Sequence, residues 1–232
     1  MKFQEFCVRQ IQHALSQGLT REQLENPVYT YALKGGLVRL YAETYYLKAR
    51  DCEFKFWDLD FGSNRTVRGF RVWENLLCSR GAYALCEKME NRLGREQVHY
   101  EHIEPAGVTY CKLLNLNGNN LGEARIKAIL DRSKLVVLTE EEREFLDRIP
   151  NTVFTQEDRA LVEQWYADGF ISRAILKETL ESMVGSTRDN GTAYARLAHL
   201  MKKGVEFVWG KKPDLSGGEL IAAYLKDKDH SI

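Results

Sequence analysis

With 232 residues, 44% of them hydrophobic and 28% charged, the chain can bury a substantial core, which argues against a disordered or low-complexity polymer. Lys plus Arg and Asp plus Glu each number 33, so zero formal charge supplies no bulk pull towards nucleic acid or an anionic membrane. No run approaches the roughly 20 apolar residues of a bilayer span, and the opening residues lack a secretory pattern, so a cytoplasmic protein with no membrane partner is expected.

The first segment predicts a helix from about Lys2 to Gln17, with Phe3, Phe6, Cys7, Ile11 and Leu15 near helical spacing and Gly18 at its end. Thr20-Arg21-Glu22-Gln23 has the hydroxyl and Gln of a capping box. Beyond Pro27, Tyr29 to Ala49 is again helical, with Gly35-Gly36 weakening its middle. Aromatic content predicts a strand over Cys52 to Phe61 and a turn at Gly62-Ser63-Asn64, and helical periodicity resumes from about Glu74 to Asn91.

Strands are expected at Gln97 to Ile103 and Lys134 to Leu138, with helices at Gly107 to Leu116 and Leu121 to Asp131 between them. Thr139 before Glu140-Glu141-Glu142 places an acceptor and three carboxylates where a helix dipole favours them. Ile149-Pro150-Asn151 is the expected boundary. Beyond it come helices opened by Thr155 and Ser172 with a turn at Asp168-Gly169, a third helix to Lys203, a strand from Val205 to Trp209, and a last helix from about Gly218. The expected class is α+β and mostly helical: an α+β domain over 1–150 with a small β-hairpin-and-helix element at 97–148, and a helical part over 151–232.

Candidate chemistry lies in Val98-His99-Tyr100-Glu101-His102-Ile103-Glu104-Pro105 and in the acidic helix start that follows the second strand. A neutral imidazole can deprotonate water, and carboxylates suit Mg²⁺ or Mn²⁺, which neutralises charge growing on a scissile phosphate. On a regular strand Glu101 and His102 face opposite ways, so sharing one site requires the strand to end or bend near Pro105.

Glu101-His102-Ile103-Glu104-Pro105 resembles the opening of the HNH family's ββα-metal motif: acidic residue, His, aliphatic residue, variable residue, Pro. The resemblance implies a nuclease with His102 as general base, Glu101 as a metal ligand and Mg²⁺ or Mn²⁺ as cofactor, in defence or mobile-element processing. Leu135 to Leu138 running into a helix looks like the motif's second half. The family's His on that helix is missing; Glu142 can supply an oxygen ligand and Arg143 cannot. Asn115, Asn117, Asn119 and Asn120 are loop candidates for the family's central Asn, and its zinc-binding Cys pairs are absent.

Competing signals are fewer. Glu53-Phe54-Lys55 resembles the acid-x-Lys half of the PD-(D/E)xK nuclease core. His99, three residues before His102, would face the other side of a strand from it. The helices from Glu157 to Ala167 and Ser172 to Val184 have the lengths of a helix-turn-helix, in which Arg173 and Lys177 would meet phosphates. Phe54, Phe56, Trp57, Phe61 and Trp73 read as core. Five cysteines (Cys7, Cys52, Cys78, Cys86, Cys111), none in a Cys-x-x-Cys pair, read as reduced core thiols. The sequence thus predicts a metal-dependent nuclease acting on nucleic acid, DNA foremost, against the alternative of a non-catalytic DNA- or protein-binding module built on the last helices.

Overall fold

The computed structural model describes residues 3–46, 76–88, 98–116, 121–147 and 153–226. Helix α1 (Phe3–Ser16) turns Cys7, Val8, Ile11 and Leu15 inward, one stripe at helical spacing. The capping box at Thr20 forms as expected and opens α2 (Arg21–Leu24): Gln23 N–H donates to Thr20 Oγ1 at 3.2 Å and Thr20 N–H to Gln23 Oε1 at 2.8 Å. Asn26 caps α3 (Pro27–Thr30), which runs through a π-helical stretch, Tyr31–Val38, into α4 (Arg39–Tyr46). Gly35-Gly36, expected to weaken this helix, sits inside the widened turns.

Four strands form one mixed sheet in the order β2-β3-β1-β4: β1 (Leu77–Ser79), β2 (Val98–His102), β3 (Leu135–Thr139) and β4 (Phe207–Trp209). β1 and β3 are parallel, while β2 lies antiparallel to β3 and β4 antiparallel to β1. The remaining helices are α5 (Arg80–Lys88), α6 (Ala106–Leu114), α7 (Glu123–Leu130), α8 (Glu140–Asp147), α9 (Gln156–Ala167), α10 (Arg173–Ser182), α11 (Ala193–Lys202) and α12 (Gly217–Lys226).

Strand alternation divides the molecule into layers. Cys78, Val98, Leu135 and Val137 join the core built by α1, α5, α6 and α7. Leu77, Val136, Leu138, Phe207 and Trp209 face the opposite core, built by α8 to α12. The class is therefore α+β and mostly helical, as composition and periodicity indicate.

Three expectations change. The helix read from Glu74 begins instead with β1, because a short buried apolar run such as Leu76-Leu77-Cys78 satisfies either periodicity. The expected hairpin is not one: β2 and β3 pair antiparallel, but α6 and α7 connect them. The part beyond 151 is no separate packing unit, since β4 completes the sheet beside β1 and α9, α11 and α12 share their core with Leu77, Val136 and Leu138. The expected strand at 52–61 with Glu53 and Lys55, the aromatic residues there and at Trp73, Cys52, and Asn117, Asn119 and Asn120 lie outside the described residues.

Candidate functional site

The segment singled out by sequence is the edge strand β2 and its exit. It pairs with β3 without interruption from Val98 opposite Thr139 to His102 opposite Leu135, and Ile103 N–H still donates to the Lys134 carbonyl at 2.9 Å. The strand stays regular through both candidate residues, so Glu101 and His102 point to opposite faces. His102, 8% exposed, shares its face with Val98 and Tyr100. Glu101 shares the other face with His99, towards α8 and α11.

On that second face Glu101 meets two arginines. Arg196 of α11, 1% exposed, donates from Nη2 to Glu101 Oε1 at 3.3 Å and from Nη1 to the His102 and Ile103 carbonyls at 2.6 and 3.4 Å. Its guanidinium thus clamps three consecutive residues of the strand exit. Burial lowers the Arg196 pKa from its ordinary value, opposed by the carboxylates of Glu101 and Asp147. Arg143 of α8 lies 3.9 Å from Glu101 Oε2, 3.4 Å from Glu140 and 2.8 Å from Asp147. His99 Nε2 contacts the Glu140 carboxylate. With side chains 31% exposed at His99, 21% at Glu101 and 34% at Arg143, the cluster is part-buried and reaches solvent.

Glu104 and Pro105 serve the next helix. Pro105 starts α6, and its carbonyl accepts from Val108 and Thr109. The buried Glu104 carboxylate accepts from Thr109 Oγ1 at 3.0 Å and Lys112 Nζ at 2.8 Å.

Glu142 closes a reciprocal cap. Thr139 N–H donates to its Oε2 at 2.8 Å, Glu142 N–H donates to Thr139 Oγ1 at 3.2 Å, and Ser79 Oγ donates to the same Oε2. A Cβ on Gly81 would come within 3.2 Å of Glu142 Oε1. This carboxylate is a brace between the ends of the parallel strands β1 and β3. The residues expected at one metal site, His102 as base and Glu101 and Glu142 as ligands, are therefore not brought together. Glu101 and His102 lie on opposite faces, and Glu142 is engaged at the β1–β3 end. Among the described residues no three His, Cys, Asp or Glu side chains group to hold a metal.

Arg173 and Lys177 stand one turn apart on the exposed face of α10, Lys177 beside Glu181 at 3.8 Å. The α9–α10 turn passes through Gly169 at φ 76°, a conformation that favours glycine.

A second polar pair lies deeper. Asp158, in the first turn of α9, meets His199 of α11: His199 Nδ1 is 2.8 Å from Asp158 Oδ2, with both side chains buried. Burial opposes ionisation of Asp158, but hydrogen bonds from His199 and the Thr155 amide outweigh it and hold the carboxyl below its ordinary value.

Sequence reasoning passed over Arg196, His199 and Asp158. A signal existed for the first two, since Arg196 and His199 interrupt the apolar stripe of Ala193, Leu197 and Leu200 at helical spacing. Nothing in Thr155-Gln156-Glu157-Asp158 distinguishes a cap that also holds a distant histidine from a plain one. Neither a family model nor a curated protein nor a solved structure matches the chain.

Proposed function

We propose that the chain hydrolyses phosphodiester bonds of nucleic acid on the solvent-reaching face shared by β2 and α8. The observation that carries this reading is the pairing of His99 with Glu140, two residues from the Arg-braced Glu101. A carboxylate on one imidazole nitrogen orients the ring and leaves the other nitrogen to take a proton from water, the part of a general base. The proton taken up by His99 is the one available to return to the leaving oxygen, while the Glu101 carboxylate, paired with Arg196, braces the strand beside it. Arg143 offers the accessible guanidinium that a phosphate would meet. His99 replaces His102 as the candidate base because His102 faces the opposite layer.

Glu101, Glu140 and Asp147 against Arg143 and Arg196 leave one surplus negative charge while His99 is neutral. That surplus is the reason for testing Mg²⁺ and Mn²⁺ beside a chelator. The assay is nicking of supercoiled plasmid, and cleavage of a labelled RNA, by wild type, His99→Ala and His102→Ala under each condition. Cleavage reduced about 100-fold or more in His99→Ala and retained in folded His102→Ala is expected. Undiminished cleavage in His99→Ala would refute the reading.

Exposed Arg173 and Lys177 favour a second reading, nucleic-acid binding through α10 without cleavage. In that case retention of DNA survives chelation. Arg173→Ala and Lys177→Ala each then reduce the salt slope of binding by about one.

A further inference from the structure

Arg196 and His199 occupy one face of α11, three residues apart, and both are buried. Among the described residues Arg196 Nε, His199 Nε2 and Asp158 Oδ1 have no hydrogen-bond partner, although the other polar atoms of these side chains do. Buried polar groups in proteins are almost always satisfied, by protein or by ordered water.

Phe154 lies beside both Arg196 and His199. Its ring stands edge-on to His199 with centroids 6.1 Å apart. At Gly191, φ 94°, a Cβ would lie 2.5 Å from Phe154 Cζ and 3.3 Å from Arg196 Cγ, so the same ring also borders the stem of Arg196.

We infer that α9 and α11 enclose a site for an internal water molecule that accepts a hydrogen bond from Arg196 Nε–H and donates one to His199 Nε2. The stoichiometry selects this ligand. In the neutral Nδ1–H tautomer of His199, the one that donates to the Asp158 carboxylate, Nε2 is an acceptor. Arg196 Nε is a donor only. A cation would meet the guanidinium, and an anion would meet the imidazole lone pair and the Asp158 carboxylate. Water supplies both functions. The inference does not rest on the proposed cleavage. The water would engage the third nitrogen, Nε, of the guanidinium whose other two nitrogens clamp β2.

The test uses the isotope-labelled full chain in solution. Long-range proton–nitrogen spectra report the tautomer, and water-selective NOE and ROE spectra are read at the carbon-bound ring protons of His199, which do not exchange. The expected result is the Nδ1–H tautomer, with cross peaks from a long-lived water to His199 Hε1 or Hδ2 and to Arg196 Hε. Protonation on Nε2, a cross peak to a protein donor in place of water, or no water cross peak at these protons would overturn the inference. Assignment by sequential connectivity requires no substitution, so a variant that fails to fold cannot obscure the outcome.

Discussion

Arg196→Met tests whether the strand exit depends on its buried clamp. The substitution keeps an unbranched apolar stem and removes the guanidinium, stripping donors from the His102 carbonyl, the Ile103 carbonyl and Glu101. Removing one partner of a buried ion pair costs about 3–5 kcal/mol. Glu101 is part-exposed and keeps Arg143 at 3.9 Å, so water and that residue recover part of the loss. A value of about 3 kcal/mol follows, at the low end of that range. With a urea m-value of about 3 kcal/mol/M for a chain of this size, the unfolding midpoint should fall by about 1 M. Near- and far-ultraviolet circular dichroism should report the same transition. Glu101→Gln alone should cost about 1 kcal/mol, the size of one polar contact. The double variant should be less destabilised than the sum of the two singles by about 1 kcal/mol or more, because each removes the same contact. A midpoint unchanged within about 0.2 M, or strict additivity, would show that the clamp contributes nothing and that this reasoning is wrong.

Asp158 has a folded-state pKa below the ordinary value of about 3.9, so its stabilisation is present above that pH and is lost as pH falls through the folded value. Asp158→Asn should therefore destabilise the chain at pH 7 by about 1 kcal/mol or more and flatten the fall of its stability as the pH drops below the ordinary carboxylate range; an unchanged acid profile in urea titrations refutes the linkage. Burial pushes the Cys7 thiol up to about 12, Cys86 up to about 11, and Cys78 well above its ordinary range, whereas Cys111 is exposed. A thiol reagent on the native protein should label Cys111 and spare these three, and rapid labelling of Cys78 would contradict its burial. At Gly218 a Cβ would fall 2.3 Å from Trp165 Cδ1 and 2.9 Å from Phe170 Cδ2. Gly218→Ala should cost about 1–3 kcal/mol through overpacking and change the tryptophan emission, and wild-type stability would show that the contact yields freely.

Local rules read the helices well because their signals are short-range. The Thr20, Thr155 and Ser172 caps and the Asp168-Gly169 turn each form among residues at most three or four apart. The cysteines were mostly legible too: Cys7, Cys78 and Cys86 are buried, while Cys111 lies on the outer side of α6. At the candidate site the local pattern carried less. Five residues resembling a metal motif are individually used as a face-switched histidine, an Arg-bound carboxylate, a core isoleucine, a buried helix anchor and a helix-starting proline.

Composition, periodicity and capping residues by themselves determined a mixed, mostly helical chain and the positions of most described helices and strands. The tertiary structure alone decided that β2 and β3 pair across the intervening α6 and α7, that β4 completes the sheet, and that Glu101 answers to Arg196 from 95 residues away. The reason is one of range. Helical and strand periodicity and capping hydrogen bonds act between near neighbours in sequence, whereas sheet order and the choice of a buried charge's partner depend on which distant faces pack together.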